Sequence, residues 1–507
     1  MRTVSWTASA KRVGLLSGRP VGRRQPARGR LPDVRLLHAT AEAAPFAKTG
    51  GLADVLGALP VAQAARGDEV LIVHPWYARL ASTPAPLWIG DVAVPFDGGT
   101  ASVGVGTLER GRVRYAFVGH ALFRRDAPYG YPDDARRFTL FARAVPVVAA
   151  RLGYLPHVVH VHDWHAALLP ALLRHAALLP LGFAGLPSVL TVHNAQYQGW
   201  AKAADIVAWG RLPGPLAAPL ALGGGGNLLH AGIVSADRVT TVSPTYAREL
   251  LEPTVAYGLE RAFAALGPRL RGILNGLDMD DYDPGRDMAL PATFGPDDMG
   301  GKATCRLALE AELGLESERP LLGVVSRLAD QKGIDLLLEA LPGVLGQGWN
   351  LALLGSGDPA LEAAVAAAFE VHPTRVAGRI GYDDALARRI YAAADALVLP
   401  SRFEPCGLAQ LIAMRYGTLP VARATGGLID TIEDGRTGFL FGPATSEALS
   451  AALAHARRAF ADEPAWRGMR AAAMAQRFDW ERAAAGYGAL YRELTPPHEA
   501  PAVGAGP

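Results

Sequence analysis

Short apolar strands alternate with helical stretches along most of this 507-residue chain. That alternation restricts it to parallel sheets covered by helices on both faces. The pattern falls into two blocks. In the first, the apolar runs at 34–37, 70–73, 158–161, 189–192 and 239–242 read as strands, with Pro75 ending the second. After Gly50-Gly51, the residues Leu52, Val55, Leu56 and Leu59 fall on one face at helical spacing. The second block starts between about 270 and 320. Runs at 320–325, 351–354, 396–399 and 419–421 read as strands, a helix is predicted from Gly333 to about Leu345, and a last helix ends near Leu494. The expected fold class is therefore α/β, with two doubly wound, Rossmann-like parallel-sheet domains.

Charge excludes one function class. The net charge is +2, but residues 1–30 hold eight basic side chains and no acidic one. Taking those eight from 50 Lys and Arg leaves 42 against 48 Asp and Glu, so the body is mildly acidic. A nucleic-acid partner needs clustered cations on the binding face, and none is expected. The basic start fits a transit peptide, a disordered tail or an inert extension. Ser is sparse in it, and the composition favours a disordered extension over residues 1–32. No membrane partner is expected either. The uncharged stretch between Arg174 and Lys202 is broken by Pro180, Pro187, His193 and Asn194, short of the roughly 20 apolar residues a span requires. Cys305 and Cys406 lie about a hundred positions apart and make neither a disulfide framework nor a metal-type spacing. A reducing, cytosol-like compartment fits.

Several motifs stand at strand ends, where open α/β sheets line ligand crevices. Lys48-Thr49-Gly50-Gly51 precedes a helix, whose N-terminus favours negative charge; the bland alternative is an ordinary turn with a solvated lysine. His160-Val161-His162-Asp163-Trp164-His165 invites a metal, but strand alternation sends only His160 and His162 to one face, and no distant cluster completes a site. Asp163 is read there as a helix cap, compatible with substrate contact. His193, Asn194 and Tyr197 offer hydrogen bonds suited to sugar hydroxyls. Arg327 and Lys332 flank a strand end and suit one diphosphate, the guanidinium as a fork and the ammonium as a point charge. Glu404 sits in Ser401-Arg402-Phe403-Glu404-Pro405-Cys406-Gly407-Leu408, where Pro405 forbids regular pairing and Gly407 permits a tight entry into a helix. Cys406 reads as a buried structural thiol. Thr49–Asp54 recurs as Thr425–Asp430, which suggests that both blocks present a glycine turn to a shared cleft.

In this order, the Lys48–Asp54, His162–His165, Thr191–Asn194, Val242–Ala247, Leu274–Asp278, Val325–Gly333, Pro400–Leu408 and Thr425–Leu428 segments resemble bacterial glycogen synthases and plant starch synthases, over about residues 33–494. The resemblance implies a GT-B-type fold: residues 33–270 as the acceptor-side domain, 271–477 as the nucleotide-sugar domain, 478–494 as a helix crossing back to the first, and 495–507 as a disordered tail. It implies glucose transfer from ADP-glucose to the non-reducing end of an α-1,4-glucan, retaining and metal-independent, with no cofactor. On the matching positions, Lys48, Gly50 and Gly51 fall at the donor phosphates, Asp54 is a further substrate-binding position, Arg327 and Lys332 form the diphosphate clamp, and Glu404 is the essential carboxylate. Cys406, Gly407 and Leu408 line the sugar pocket. His193, Asp163, Asn194 and Asn275 contact the transferred sugar or acceptor, Tyr382 lies near the adenine, and Tyr129 approaches the acceptor on a weaker match.

Two positions depart from the pattern. Many relatives carry Thr where this chain has Ala409. Families that build sucrose, trehalose or lipopolysaccharide often carry a second Glu eight positions after the first, and here that position is Ile412. The second departure favours the glycogen and starch branch over a transferase with a small acceptor. A catalytically silent glucan- or nucleotide-binding protein is the other alternative, and the intact Lys48, Arg327, Lys332 and Glu404 weigh against it. The expected compartment is the bacterial cytosol, or a plastid if residues 1–30 are a transit peptide.

Overall fold

In the computed structural model, residues 34–77 and 85–495 are described. The basic extension and all but the first residue of the 495–507 tail fall outside them.

The first domain is built on a nine-stranded sheet. Its strands are β1 (Arg35–Ala39), β2 (Glu69–Pro75), β3 (Leu87–Phe96), β4 (Gly99–Arg110), β5 (Val113–Gly119), β6 (Val158–His162), β7 (Ser188–Val192), β11 (Arg238–Thr241) and β12 (Leu270–Gly272). A small separate sheet takes β8 (Trp200–Ala201), β9 (Ala221–Leu222) and β10 (Gly225–Asn227). The order across the large sheet is β12-β11-β7-β6-β1-β2-β5-β4-β3. All pairs are parallel except β3–β4 and β4–β5. These antiparallel strands at 87–119 were not anticipated. Thr100, Ser102, Gly104 and Gly106 dilute the apolar runs, because this edge of the sheet is only partly covered.

The second domain holds six parallel strands: β13 (Leu321–Val325), β14 (Asn350–Gly355), β15 (Val376–Ile380), β16 (Ala396–Leu399), β17 (Leu419–Arg423) and β18 (Phe439–Phe441), in the order β15-β14-β13-β16-β17-β18. Its central strands are buried on both faces and read as continuous apolar runs, as parallel sheets require. Each domain has its own main core.

Both sheets reverse direction at one point. In the first, the chain winds outward from β1 through β2, then returns to place β6 on the other side of β1. In the second, it leaves β13 for β14 and β15, then returns to place β16 against β13. A crevice opens at the carboxyl ends of strands where the order reverses. The segments after β1 and β6 carry Lys48 and Asp163; those after β13 and β16 carry Arg327 and Glu404.

The last helix, Trp480–Leu494, belongs to the first domain's core. Trp480, Ala484, Tyr487 and Tyr491 pack there, Gln63 Nε2 donates to the Tyr491 hydroxyl at 3.0 Å, and Arg271 forks onto Glu493. Asp479 caps it through the Arg482 amide.

Candidate active site

Glu404 follows β16 and is 6% exposed. Its Oε2 lies 2.5 Å from Lys332 Nζ and 3.1 Å from Ser401 Oγ. Arg327, just past β13, donates to Gln331 Oε1 at 3.0 Å, and Gln331 donates on to the Phe403 carbonyl. The two cation-bearing positions are thus tied to the loop that holds the carboxylate. That loop is gripped from behind by the Thr425 motif. Gly427 N–H donates to the Glu404 carbonyl at 3.0 Å. A Cβ on Gly426, whose φ is +46°, would sit 1.9 Å from that carbonyl oxygen, and one on Gly427 would sit 2.3 Å from the Cys406 carbonyl. Only glycine fits there. Gly407, at φ +76°, makes the turn into the helix Ala409–Arg415, and Gln410 Nε2 bonds the Cys406 and Gly407 carbonyls. Cys406 is buried, and burial pushes its thiol up to about 12, as a structural thiol requires. Leu408 immediately precedes that helix.

In the first domain, Asp163 follows β6 at φ +54°. It makes no cap bond to its own short helix, contrary to the capping reading. Instead its Oδ1 reaches the next loop and accepts from the His193 amide at 2.6 Å and the Asn194 amide at 3.4 Å. Burial raises its carboxyl to about 7 against the pull of these two amides. Burial lowers His193 to about 3, so its ring is neutral.

Lys48 Nζ pairs with Asp54 at 2.6 Å. Burial would lower the ammonium, but Asp54 outweighs it and holds it above its ordinary value, with smaller contributions from Tyr382 and Asp384 of the second domain. Gly50 and Gly51 have open space where a Cβ would stand. The Gly50 N–H is not free for a ligand here, because Glu42 Oε2 accepts it at 3.2 Å along with Thr49 N–H at 2.5 Å. The other Glu42 oxygen accepts from the Tyr129 hydroxyl. Burial raises the Glu42 carboxyl, opposed by these donors. Tyr129 also lies against His165, ring centroids 4.9 Å apart.

The two halves meet directly. Thr425 Oγ1 and Gly426 N–H donate to Glu249 of the first domain at 3.0 and 2.9 Å, and Asp430 accepts from Thr245 N–H and Oγ1 at 2.8 and 2.7 Å. Asn275, 9% exposed, bonds Cys406 through its backbone and leaves its buried Oδ1 without a partner among the described residues. Tyr382 is 80% exposed just past β15.

Residues 35–265 match the starch synthase catalytic domain, and residues 319–458 match the glycosyl transferases group 1 domain. The chain is 46% identical over 465 residues to the glycogen synthase of Deinococcus deserti, covering 91% of this chain and 99% of that one. With a glycogen synthase of Thermus thermophilus it shares 44% over 462 residues, again 91% and 99%. The chain belongs to the glycogen synthase family. It is a glycosyltransferase of the glycogen and starch synthase type, with a nucleotide-sugar and a glucan as substrates. The catalytic domain of starch synthase IV from Arabidopsis thaliana, solved with ADP and acarbose, superposes with a TM-score of 0.83 at 33% identity, over 91% of this chain and 99% of that one. A sucrose-phosphate synthase from Thermosynechococcus elongatus shares the GT-B fold at a TM-score of 0.60 and 21% identity.

Three residues of this site were not singled out from sequence. Glu42 stands in no recognisable motif, and its one signal is a carboxylate three residues beyond the strand at the switch point. Glu249 lies in a helix, Pro244–Glu249, whose partner is 176 positions away. His38 on β1 joins His160 and His162, so a distant histidine does complete a three-histidine cluster, while His165 stacks instead on Trp164 at 4.0 Å.

Proposed function

We propose that the chain transfers glucose from ADP-glucose to the non-reducing end of an α-1,4-glucan, with retention of anomeric configuration and without a metal ion. One observation carries the reading: Lys332 and Arg327 are fixed beside the buried Glu404 at the switch point of the nucleotide-sugar domain. Breaking the bond between the sugar and a diphosphate builds negative charge on the leaving group. Cations held in place before the reaction stabilise that charge without having to reorganise, and no proton needs to be supplied. Arg327 offers a fork to paired phosphate oxygens and Lys332 a point charge. This is the electrostatic work a metal would otherwise do.

Glu404 is proposed to hold the transferred glucose through its hydroxyls, with the Cys406–Leu408 backbone lining the pocket. Tyr382 offers an exposed ring for adenine, and Lys48 a charge on the opposite wall. His193, Asn194, Asn275 and Tyr129 are proposed to contact the sugar or acceptor. The presence of ADP and acarbose in the starch synthase IV structure supports the choice of donor and of an oligosaccharide acceptor.

Retention usually calls for a carboxylate nucleophile and double displacement. Beyond Glu404, itself paired with Lys332 and Ser401, no nucleophile stands out among the described residues: Asp163 is committed to two amides and Glu42 to Tyr129, Thr49 and Gly50. We therefore favour attack on the same face as the departing phosphate, which itself accepts the acceptor's proton. The test is incubation with ADP-glucose, labelled at C1, and maltohexaose in the presence of a chelator, with the new linkage read by NMR. An α-linkage formed at undiminished rate is expected. A β-linkage, transfer from UDP-glucose alone, a rate abolished by chelation, or a trapped glucosyl-enzyme would overturn the corresponding part.

A further inference from the structure

Beneath His193 runs a chain of neutral, buried rings that the transfer chemistry does not use. His193 Nε2 is 3.1 Å from His162 Nδ1, and His162 Nε2 is 3.0 Å from His38 Nδ1. His38 Nε2 is 2.9 Å from Gln63 Oε1, and Gln63 Nε2 is 3.0 Å from the Tyr491 hydroxyl. That hydroxyl is 2.7 Å from His160 Nδ1, whose Nε2 is 2.6 Å from Thr191 Oγ1. The chain draws on β1, β6, the first helix and the last. His38, Gln63, His160 and His162 are each fully buried.

The three-histidine cluster has the proximity of a metal site, but every ring nitrogen of His38, His160 and His162 already has a hydrogen-bond partner. Hydrogen bonding accounts for the cluster fully. Burial lowers all these imidazoles, His38 to about 4 and His193 to about 3, with His160 and His162 well below the ordinary value. A neutral imidazole has one N–H and one lone pair. In an unbroken chain of such rings, the choice at one end therefore dictates the choice at every other.

Two assignments satisfy the whole chain, related by turning over the Gln63 amide. They differ at Tyr491. In one, the phenol donates to the imidazole nitrogen of His160 and accepts from the Gln63 amide. In the other, it donates to the amide oxygen and accepts from imidazole. The stronger base takes the phenolic proton, and the short 2.7 Å contact lies on the His160 side. The first assignment prevails. Gln63 Oε1 then accepts from His38 Nε2–H, His38 Nδ1 accepts from His162 Nε2–H, and His162 Nδ1 accepts from His193 Nε2–H. His193 is left with a lone pair on Nδ1.

We propose that Gln63, His38, His162 and Tyr491 are positioning residues that act through one another to fix the tautomer of His193, so that it meets a sugar hydroxyl at Nδ1 as an acceptor. The proposal rests on the reading of His193 as a sugar contact, and it gives the returning C-terminal helix a part in the chemistry of the site.

The test uses the full chain with 15N-labelled histidine and no substrate, with His193→Gln to assign the signals. Long-range proton–nitrogen correlation tells a protonated ring nitrogen from a lone-pair one. The wild type should show His38, His162 and His193 all protonated at Nε2. Gln63→Met removes the acceptor that polarises the chain and should give His193 as a mixture of tautomers. Its kcat should fall about 5–10-fold, the worth of one neutral hydrogen bond, with a smaller change in donor KM. Tyr491→Phe, which loses a single hydroxyl, should do the same and carries the test if Gln63→Met does not fold. His193 protonated at Nδ1 in the wild type would overturn the proposal. So would an unchanged tautomer in both variants, or a changed one with unaltered turnover. Absence of glucan synthesis by the wild type would instead count against the transfer reading, which the substrate-free spectrum does not depend on.

Discussion

Lys332 and Glu404 compensate one another, and each is proposed to meet a different part of the substrate. Lys332→Ala should weaken ADP binding by about 1–3 kcal/mol, the range for losing a charge-assisted bond, as read by calorimetric titration; unchanged affinity would remove it from the clamp. Asp163 makes a pH prediction. Its carboxyl is raised to about 7, and the ionised form holds the His193 and Asn194 amides more strongly than the protonated one. Turnover should therefore rise through about pH 7, and Asp163→Asn, which keeps an acceptor at Oδ1, should flatten that limb. A limb that persists in the variant belongs to another group. These residues were legible as motifs because each stands at a strand end. Their partners were not. Glu249 satisfies the Gly426 amide 177 positions away, and Glu42 takes the Thr49 and Gly50 amides at a spacing that belongs to no regular element, so neither leaves a local pattern.

The two Thr-Gly-Gly elements show what repetition in a sequence conveys and what it does not. Both open a helix, at Gly51–Arg66 and Gly426–Thr431. Beyond that they differ. Gly50 is extended and Gly51 stands clear of neighbours, while Gly426 and Gly427 are pressed against the carbonyls of Glu404 and Cys406. Asp54 pairs with Lys48 in its own domain, whereas Asp430 reaches Thr245 in the other. Gly426→Ala should cost about 1–3 kcal/mol through strain at a positive φ and should displace Glu404, with lost turnover. Gly50→Ala should leave thermal stability within about 0.5 kcal/mol and act only on donor KM. Equal stability losses in the two variants would contradict this assignment. The parallel strands were legible in the same way as the motifs, because burial on both faces makes them continuous apolar runs. The antiparallel β3–β5 were not, since their faces are partly open and their composition is correspondingly mixed.

At the scale of the whole molecule, histidine burial sets the response to acid. His38, His74, His160, His162, His165 and His193 are all lowered, by burial above all. A group whose folded-state value lies below its unfolded one contributes stability above the unfolded value, near 6.5, and loses it as pH falls toward the folded one. Each such histidine gives a slope of about 1.4 kcal/mol per pH unit in that window. Asp163, Glu42, Asp54 and Asp134, whose carboxyls burial raises, work in the opposite direction but are fewer than the histidines. Thermal stability should therefore fall between pH 6.5 and 4. His74→Leu should make the fall shallower, because His74 is fully buried, burial lowers its imidazole to about 3, and it lies outside the site. An unchanged slope would show that His74 is not held neutral.

The same scale joins the domains, through Glu249 to Thr425 and Gly426 and through Thr245 to Asp430, and the adjoining Gly427 holds the loop that carries the Glu404 carboxylate. The account turns on that carboxylate. The most direct measurement is the initial rate of labelled glucose incorporation into glycogen from ADP-glucose, in chelator, for the wild type and Glu404→Gln. The account predicts polymer from the wild type and a rate about 10²–10³ lower in the variant, the usual cost of one electrostatic contact to the transition state, with the variant still folded and unfolding cooperatively. No polymer from the wild type, or a variant working at nearly the wild-type rate, would contradict it.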